Sequence, residues 1–362
     1  MNAATERRSR ARDARLLVID ESGGISHLTH RDLPSLLRRG DLVVANDAAT
    51  VPASLAGVHV RTGANIEARL AGLPSEAFSR MLSGATRPWP ARFTAIVFGA
   101  GDHRTATEYR SAPPVLQVGD ALIVASLRAR VVAFHGHPRL IELEFDRPTD
   151  AMWEGIARHG RPIQYAHVPQ PLAVWDTWTS IASNPVAFEA PSAGFVLDWS
   201  MLGDLRRHGI RFATLTHAAG ISSTGEPELD ARLPFDEPYA IPSSTAVLIE
   251  LTHAEGGRIV AIGTTVVRAL EDSARRTGHV TAGDAVATGR IGPETQLRVV
   301  DAIVSGVHEP GTSHNSLLRA FQDDAAIGDM WNEAERHGYL AHEFGDAVFV
   351  TRQNIARCTI AA

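Results

Sequence analysis

The sequence predicts an α/β fold, with a mixed sheet and flanking helices, that is interrupted by an inserted antiparallel β-barrel domain. Two observations predict it. Both ends of the chain alternate apolar, strand-like runs with segments of helical period, whereas the middle carries short alternating runs broken by glycine and proline. We therefore expect a discontinuous α/β domain at residues 1–56 and 151–362, with the β-barrel at residues 57–150.

The N-terminal segment begins the α/β domain. The apolar run from Arg15 to Asp20 predicts a buried strand, a short helix is expected through Leu36-Leu37, and Asp41 to Ala45 predicts a second buried strand. Asn46-Asp47 follows that strand directly, where α/β sheets present ligand-binding groups, although the same pair also occurs in ordinary turns. The pair is therefore a candidate binding element.

The pattern of apolar and polar residues changes in the middle of the chain. Short runs of apolar residues at Asn65 to Leu70, Arg92 to Phe98 and Ala121 to Phe134 alternate with polar residues and are separated by turn-forming residues. This spacing is typical of a small antiparallel barrel or sandwich.

Helical and strand periods return after residue 150. The pattern predicts, in order, a helix at Trp199 to His208, a strand at Ile210 to Leu215, a helix near Ser243 to His253, a strand at Arg258 to Ile262 and a helix through Arg276. Such alternation predicts a largely parallel or mixed sheet covered by helices.

Composition excludes several classes of protein. The 362 residues include 44% hydrophobic and 21% charged residues, as in ordinary globular proteins. No lysine is present, which excludes Schiff-base catalysis, a pyridoxal phosphate anchor and a P-loop. The single cysteine, Cys358, excludes an internal disulfide and a cysteine-based metal centre. No apolar run approaches the roughly 20 residues of a membrane span, so we expect a cytoplasmic protein.

The net charge of −6 argues against a protein that grips nucleic acid over a broad basic face. Any contact with nucleic acid would therefore use a local basic patch. The densest cluster of arginines comprises Arg7, Arg8, Arg10, Arg12 and Arg15. The simpler interpretation of that cluster is a solvated, partly frayed N-terminus.

Gly263-Thr264-Thr265 is the most informative local unit. A strand that ends there presents backbone N–H groups and two hydroxyls at a helix N-terminus, which favours an anion. Arg268 lies one turn later and would bind a carboxylate, and Glu271 would pair with Arg268 or accept hydrogen bonds from ribose hydroxyls. On this segment alone, a threonine N-cap with a surface ion pair explains the residues equally well.

Further candidates lie in the C-terminal half. The small residues of Ala190 to Gly194, which include Pro191, Ser192 and Ala193, would let the backbone approach a flat ring, or would simply begin a helix. The candidate proton carriers are His217, His308, His314, Glu237 and Asp346. Spacing alone does not bring them together, and it predicts no metal site.

Several of these segments, taken in order, match the signature blocks of a known family. The chain resembles the S-adenosylmethionine:tRNA ribosyltransferase-isomerases of queuosine biosynthesis from about residue 15 to residue 351. The blocks that carry the resemblance are Arg15-Leu16-Leu17, Gly40 to Asp47, Val51 to Gly57, Ala190 to Gly194, Arg258 to Thr265 with Arg268 and Glu271, Val300 to Ala302, His308-Glu309-Pro310, Ala320-Phe321 and Phe344 to Ala347.

The resemblance implies an α/β domain interrupted by a β-barrel. It also implies an enzyme, a transferase and isomerase, in which S-adenosylmethionine is the co-substrate and no metal takes part. In that family the ribosyl group is transferred onto a 7-aminomethyl-7-deazaguanine base in tRNA and rearranged to an epoxycyclopentane, and adenine and methionine depart. A base must remove a ribose C5′ proton next to the positive sulfonium, and other groups must bind the ribose and support the leaving adenine.

The resemblance suggests a role for each candidate. The methionine carboxylate is expected at Thr264, Thr265 and Arg268, and Gly263 and Glu271 are also expected to bind the substrate. The adenosine is expected near Pro191 to Gly194 and Asn46-Asp47. Proton handling is expected from His308, Glu237 and Asp346.

The chain departs from the family pattern at several polar positions. A histidine after the small-residue turn is replaced, so that the segment reads Gly194-Phe195-Val196, and Phe235 stands where another histidine is expected, two residues before Glu237. The donor-side blocks are better preserved than the acceptor-side blocks. Two alternatives therefore stay open: ribosyl or adenosyl transfer from S-adenosylmethionine to a small-molecule acceptor, and a non-catalytic nucleotide-binding or tRNA-binding homologue.

Overall fold

A computed structural model describes residues 1–7, 11–84, 91–147 and 149–353. Arg8, Arg10 and Cys358 lie outside these ranges. Within them, no helix combines the length and the apolar character that crossing a bilayer requires.

The strands of the described residues are numbered along the chain. They are β1 (Asn2–Ala3), β2 (Arg15–Ile19), β3 (Ile25–Thr29), β4 (Leu42–Asn46), β5 (Ala48–Thr50), β6 (Ser54–His59), β7 (Asn65–Gly72), β8 (Ala91–Phe98), β9 (Ala121–Val124), β10 (Leu127–His137), β11 (Leu140–Phe145), β12 (Asn184–Ala187), β13 (Arg211–His217), β14 (Glu237–Ile241), β15 (Ile259–Ile262), β16 (Gly283–Ala287), β17 (Ala302–Gly306), β18 (Leu340–Ala341) and β19 (Ala347–Thr351).

The α-helices are numbered in the same way. They are α1 (Ser75–Ser83), α2 (Thr149–His159), α3 (Trp199–Arg207), α4 (Pro227–Asp230), α5 (Ser243–Ala254), α6 (Thr264–Thr277), α7 (Ser313–Leu318) and α8 (Asp324–Arg336).

A mixed sheet forms the centre of the molecule. Within the described ranges its strand order is β16-β14-β13-β4-β15-β17-β19-β2-β3. The neighbours β13, β4, β15 and β17 run parallel, as do β19 and β2, and the remaining pairs are antiparallel. The mixed sheet expected from the sequence is therefore confirmed.

Helices cover both faces of this sheet. Successive side chains of a strand point to opposite faces, so one strand packs against helices on both sides. In β15, Ile259 and Ala261 pack in the core cluster that contains Leu270 of α6. Val260 and Ile262 pack in the opposite cluster, which contains Leu205 of α3. The strand is wholly buried, as expected for a central parallel strand with helices on both sides.

The middle of the chain forms the expected antiparallel barrel. It is closed in the order β10-β11-β8-β7-β6-β9, so this sheet has no open edge. Its interior is filled by side chains such as Phe93, Leu122, Val131 and Leu143. The barrel strands extend from Ser54 to Phe145. The division into domains at residues 57–150 stays a prediction.

Two local predictions are wrong for identifiable reasons. The run from Ala121 to Phe134 is two strands, because Ala125 and Ser126 adopt φ angles of 48° and 60° and form a hairpin turn. The helix expected through Leu36-Leu37 is a 3₁₀ segment, His30–Leu36, with Pro34 inside it. Proline has no N–H to donate to an α-helical ladder.

The described N-terminal arginines each contact another part of the protein. The Arg7 guanidinium lies 4.6 Å from the centroid of the Phe195 ring. Arg12 pairs with Asp198 at 3.2 Å, and Arg15 pairs with Asp346 at 2.8 Å. The interpretation of a solvated, frayed terminus is therefore wrong for Arg12 and Arg15, which have carboxylate partners within the chain. Arg7 is exposed, and for it the interpretation stays a prediction.

Candidate functional site

A cavity of about 620 Å³ opens at the carboxyl ends of the central strands. Gly220 follows β13, Gly263 follows β15 and His308 follows β17, and all three line it. Parallel sheets place ligand sites at this edge, and the volume is within the roughly 300–1,000 Å³ of small-molecule sites.

Most of the residues singled out from the sequence meet in this cavity. Its walls include Pro191, Ser192, Ala193, Glu237, Gly263, Thr264, Thr265, Arg268 and His308. Asn46, Asp47, Gly194 and Glu271 are not among its lining residues, and Asp346 lines a second cavity of about 570 Å³. Ser192, Ala193 and Gly306 line both cavities.

The Gly263-Thr264-Thr265 turn touches the small-residue turn that includes Ala193. Gly263 precedes α6 with a φ angle of +95°, a conformation that favours glycine. A Cβ atom at Gly263 would lie only 3.3 Å from the Cβ atom of Ala193. The glycine therefore serves both the backbone bend and the close approach, and the two turns form one wall of the cavity.

Asn46 fixes the position of this wall from behind. Its Oδ1 accepts hydrogen bonds from the N–H groups of Ala48 at 3.0 Å and His217 at 2.9 Å. Its Nδ2 donates to the His217 carbonyl at 2.9 Å and to Thr265 Oγ1 at 3.3 Å. All four contacts are internal, so Asn46 holds β4, β13 and the start of α6 together.

Asp47 also bonds within the protein. Its carboxylate accepts hydrogen bonds from the hydroxyls of Thr216 at 2.7 Å and Thr214 at 3.0 Å. Asn184 adds a longer contact of 3.4 Å from its amide nitrogen. These bonds fasten the end of β4 to β13 and to the start of β12.

Arg268 and Glu237 form a buried ion pair in the cavity wall. The Arg268 guanidinium donates to Glu237 Oε2 and to the carbonyl oxygens of Phe235 at 3.1 Å and Ala287 at 3.2 Å. The Gly220 N–H donates to Glu237 Oε1 at 2.6 Å. Burial raises the pKa of Glu237, and the positive charge of Arg268 opposes part of that rise.

Glu271 does not pair with Arg268 in the described structure. Its carboxylate accepts hydrogen bonds from three successive backbone N–H groups, those of Arg298 at 2.8 Å, Val299 at 3.0 Å and Val300 at 2.9 Å. The carboxylate therefore holds the loop before β17. The i,i+3 spacing that suggested an ion pair is overridden by these tertiary contacts.

His308 and His314 stack at the cavity, with ring centroids 4.2 Å apart and an interplanar angle of 16°. Gly306 makes room for this arrangement, because a Cβ atom there would lie 3.1 Å from His308 Nε2. Burial lowers the pKa of His308 well below its ordinary value. Burial and the charge of Arg268 lower the pKa of His314 to about 4. Both rings are therefore neutral near pH 7.

His217 lies behind the Glu237 side of the wall. Its ring is fully buried, and neither ring nitrogen has a hydrogen-bond partner within the described residues. Burial and the nearby charge of Arg268 hold its pKa well below the ordinary value. A neutral imidazole therefore lies 3.7 Å from Glu237 Oε2.

Asp346 joins the two ends of the chain. Its carboxylate accepts hydrogen bonds from the backbone N–H groups of Arg15 at 2.9 Å and Leu340 at 2.8 Å, and pairs with the Arg15 guanidinium. The side chain is fully buried beside β2 and β18. It lines the 570 Å³ cavity and is not among the residues that line the cavity with His308 and Glu237.

Glu189 and Tyr165 are polar residues of the site that the sequence patterns did not single out. Glu189 lines the cavity directly before Ala190, and the Tyr165 hydroxyl donates a hydrogen bond to its Oε1. The Ser222 N–H donates to the same oxygen at 3.1 Å. The only sequence signal for Glu189 was its position before the small-residue turn. Tyr165 had none.

Two groups of side chains in the described ranges have the geometry to hold a metal ion. They are His27 with Glu333 and His337, and His167 with His342 and Glu343, and the ligand atoms of each group lie within 4.8 Å of one another. Neither group includes a residue that lines the 620 Å³ cavity. The expectation that the chain uses no metal stays a prediction.

Comparison with known proteins gives relatives along nearly the whole chain. It is 30% identical over 346 residues to the S-adenosylmethionine:tRNA ribosyltransferase-isomerase of Thiobacillus denitrificans. The aligned region covers 94% of this chain and 92% of that protein. It is 32% identical to the protein of that name from Anaeromyxobacter dehalogenans, with 94% of each chain covered.

The fold is also similar to that of a solved structure. An S-adenosylmethionine tRNA ribosyltransferase from Thermotoga maritima matches with a TM-score of 0.50 and 23% identity, over 96% of this chain and 95% of that one. The model of a family described as queuosine biosynthesis protein matches residues 2–350. The chain therefore belongs to the queuosine biosynthesis protein family.

Proposed function

We propose that the chain is an S-adenosylmethionine-dependent ribosyltransferase-isomerase that acts on a 7-aminomethyl-7-deazaguanine base in tRNA. The ribosyl group of S-adenosylmethionine is transferred and rearranged, and adenine and methionine are released. Relatives that align with 94% of the chain are named S-adenosylmethionine:tRNA ribosyltransferase-isomerases. The observation that supports it in this chain is the single cavity that brings together the Gly263-Thr264-Thr265 turn, the small-residue turn and His308.

The donor is bound where two turns meet. The methionine carboxylate lies at the N-terminus of α6, where the first N–H groups of a helix have no intrahelical partner and favour a negative charge. Thr264 and Thr265 add their hydroxyls there, and Arg268 adds positive charge from one turn further along. Because Arg268 is bonded to Glu237 and to carbonyl groups, its contribution is mainly to hold the wall.

The adenosine lies along Pro191, Ser192 and Ala193, whose small side chains leave the backbone open to a flat ring. Gly194 supports this turn from behind, because a Cβ atom there would lie 2.8 Å from Thr179 Cγ2. Asn46 supports the adjoining turn through Thr265. These two residues thus act by positioning the wall.

His308 and Glu237, which line the cavity, are assigned to proton transfers of the reaction other than removal of the C5′ proton. For Asp346, Asp47 and Glu271 we propose structural roles, because each carboxylate is bonded to the protein away from the cavity lining. This assignment differs from the sequence-based prediction for the same three residues.

The acceptor base reaches the cavity from the side of Arg290. This residue is exposed and lines both the site cavity and a neighbouring one of about 600 Å³. An exposed arginine there suits contact with a tRNA phosphate group, which agrees with a local rather than a broad basic surface in a chain of net charge −6. Such a reaction takes place in the cytoplasm.

The test uses purified full-length protein, S-adenosylmethionine and tRNA that carries the deazaguanine precursor. Release of adenine and methionine only when this tRNA is present supports the proposal. Release with a small-molecule acceptor in place of tRNA supports the alternative suggested by the acceptor-side departures. Binding of S-adenosylmethionine without release under any condition indicates a non-catalytic homologue.

A further inference from the structure

Glu189 has one fixed and one open carboxylate oxygen in the cavity wall. It follows β12 and precedes Ala190, and it lines the cavity. Its Oε1 accepts hydrogen bonds from the Tyr165 hydroxyl and the Ser222 N–H. Apart from the Ser222 side chain, which also hydrogen-bonds the carboxylate, no group in the part of the chain that the structure describes donates to its Oε2. The carboxylate is therefore oriented by one oxygen and available through the other.

Glu189 differs from the other acidic residues of the cavity. Glu237 is paired with Arg268, and Asp230 accepts two hydrogen bonds of 2.6 Å from Thr224. Glu189 has no arginine partner among the described residues, and its bonded partners are neutral. Burial raises its pKa to about 6, and the charge of Glu343 acts in the same direction. An ionised carboxylate without a protein counter-ion attracts a cationic ligand.

We propose that Glu189 is the base that removes the C5′ proton from the bound sulfonium nucleoside, and that Tyr165 is its positioning residue. The C5′–H bond breaks, an O–H bond forms at Glu189 Oε2, and the electron pair stays on C5′ beside the positive sulfur. The carboxylate becomes a neutral acid, and the sulfonium becomes a neutral ylide, so charge is conserved. This inference rests on the proposed function.

The proton affinities of the cavity residues favour Glu189 for this step. A general base works best when its pKa lies near the working pH. His314 has a pKa lowered to about 4, and that of His308 is also well below the ordinary value. Burial raises the pKa of Tyr165 well above its ordinary value, so the phenol keeps its proton and continues to donate to Glu189. Glu189 is the better match near neutral pH.

The principal test compares the wild type with Glu189→Gln. The amide keeps an oxygen that can accept from Tyr165 and Ser222 but has no site for the proton. We expect the rate of adenine release to fall about 100-fold or more. Calorimetric affinity for S-adenosylmethionine should fall by no more than about tenfold, because one charge that attracts the sulfonium is removed. Glu189→Asp should recover part of the rate. Glu228→Gln, which removes an exposed carboxylate next in sequence to the lining residue Pro227, is the matched control and should keep the wild-type rate.

The pH profile tests the pairing with Tyr165. The charged and titratable groups around this site are Tyr165 and Glu343 beside Glu189, and Arg69 beneath the Tyr165 ring. His167 also belongs to them, because it stacks on the Tyr165 ring and pairs with Glu343 at 3.0 Å. The wild type should lose activity as pH falls through about 6. Tyr165→Phe removes a hydrogen bond that favours the ionised carboxylate, so its acid limb should move to higher pH, which a purely structural role would not produce.

Isotope exchange separates this proposal from the proposed function. S-adenosylmethionine is incubated with protein in D₂O, with and without precursor tRNA, and deuterium at C5′ is measured by mass spectrometry. Exchange by the wild type and not by Glu189→Gln supports the proposal even if no adenine is released with tRNA. Equal exchange or equal turnover by the two proteins overturns it, as does a folded Glu189→Gln protein that has lost donor binding.

Discussion

The Arg268 guanidinium and the Glu237 carboxylate form a buried ion pair, and Arg268 also donates to the carbonyl oxygens of Phe235 and Ala287. This pair links α6 to the start of β14 under the cavity. Because the guanidinium has these protein partners, we expect Arg268 to contribute mainly to the stability of the folded protein.

Arg268→Ala is therefore expected to lower the free energy of unfolding by about 3–5 kcal/mol, because it leaves Glu237 buried without a counter-ion. The measurement is urea unfolding at pH 7. Combining it with Glu237→Gln should recover part of the loss. If Arg268→Ala instead left stability unchanged and weakened S-adenosylmethionine binding by about 1–3 kcal/mol, Arg268 would be a direct ligand of the methionine carboxylate.

Gly263→Ala should weaken the site through its wall. A side chain at φ +95° is strained, and its Cβ atom would press on Ala193. We expect a loss of about 1–3 kcal/mol in stability and a weaker affinity for S-adenosylmethionine, measured by unfolding and calorimetry. Gly278→Ala, at the C-terminal end of the same helix, also has positive φ but no atom within 4 Å of the added Cβ. It should lose stability without losing affinity, and equal losses of affinity would refute the role of the Ala193 contact.

Acid should destabilise the fold through His314. Its folded-state pKa is about 4, below the ordinary value of 6.5, so the unfolded chain binds the proton first as pH falls. The stabilising contribution is complete above pH 6.5 and is lost as pH falls from 6.5 towards 4. After a discount for partial exposure, we expect about 1–2 kcal/mol less stability at the low end of this window.

The comparison for this prediction is His314→Asn, followed by urea unfolding at several pH values. The variant should show a shallower decline in stability between pH 6.5 and 4, because one depressed titration has been removed. The pKa values of His308 and His217 are also lowered in the folded protein, so these residues should still cause part of the decline in stability with falling pH. An unchanged slope would show that His314 is not neutral in the folded protein.

Asp346→Ala tests whether this carboxylate is structural. Its removal breaks the pairing with Arg15 and two hydrogen bonds from backbone N–H groups, so we expect a loss of about 2–4 kcal/mol in unfolding free energy. Affinity for S-adenosylmethionine should stay within about threefold under conditions in which the variant is folded. A stable variant without turnover would instead support the proton-handling role predicted from the sequence.

The elements of the fold were predictable where local pattern and tertiary environment agree. Ile259 to Ile262 is a short, wholly apolar run that ends in glycine, and it is a buried central strand. Alternation along β7 and β8 indicated the barrel. The hairpin at Ala125 and Ser126 was missed because its backbone adopts positive φ without glycine or asparagine.

Side-chain partners were less predictable than positions. The sequence located Arg268 and Glu237 separately, but they are 31 residues apart, and their ion pair depends on how α6 packs beside β14. Glu271 was expected beside Arg268 because of helical spacing, yet three backbone N–H groups bind its carboxylate. Glu189 was missed because a single glutamate before a turn has no periodic pattern to mark it.

The most direct measurement is the release of adenine from S-adenosylmethionine by the purified protein, with precursor tRNA and with the same tRNA lacking the deazaguanine base. A ribosyl transfer at the cavity beside Gly263 predicts adenine and methionine in equal amounts only with the precursor tRNA. Absence of release with that tRNA, under conditions in which calorimetry shows S-adenosylmethionine bound, would contradict it.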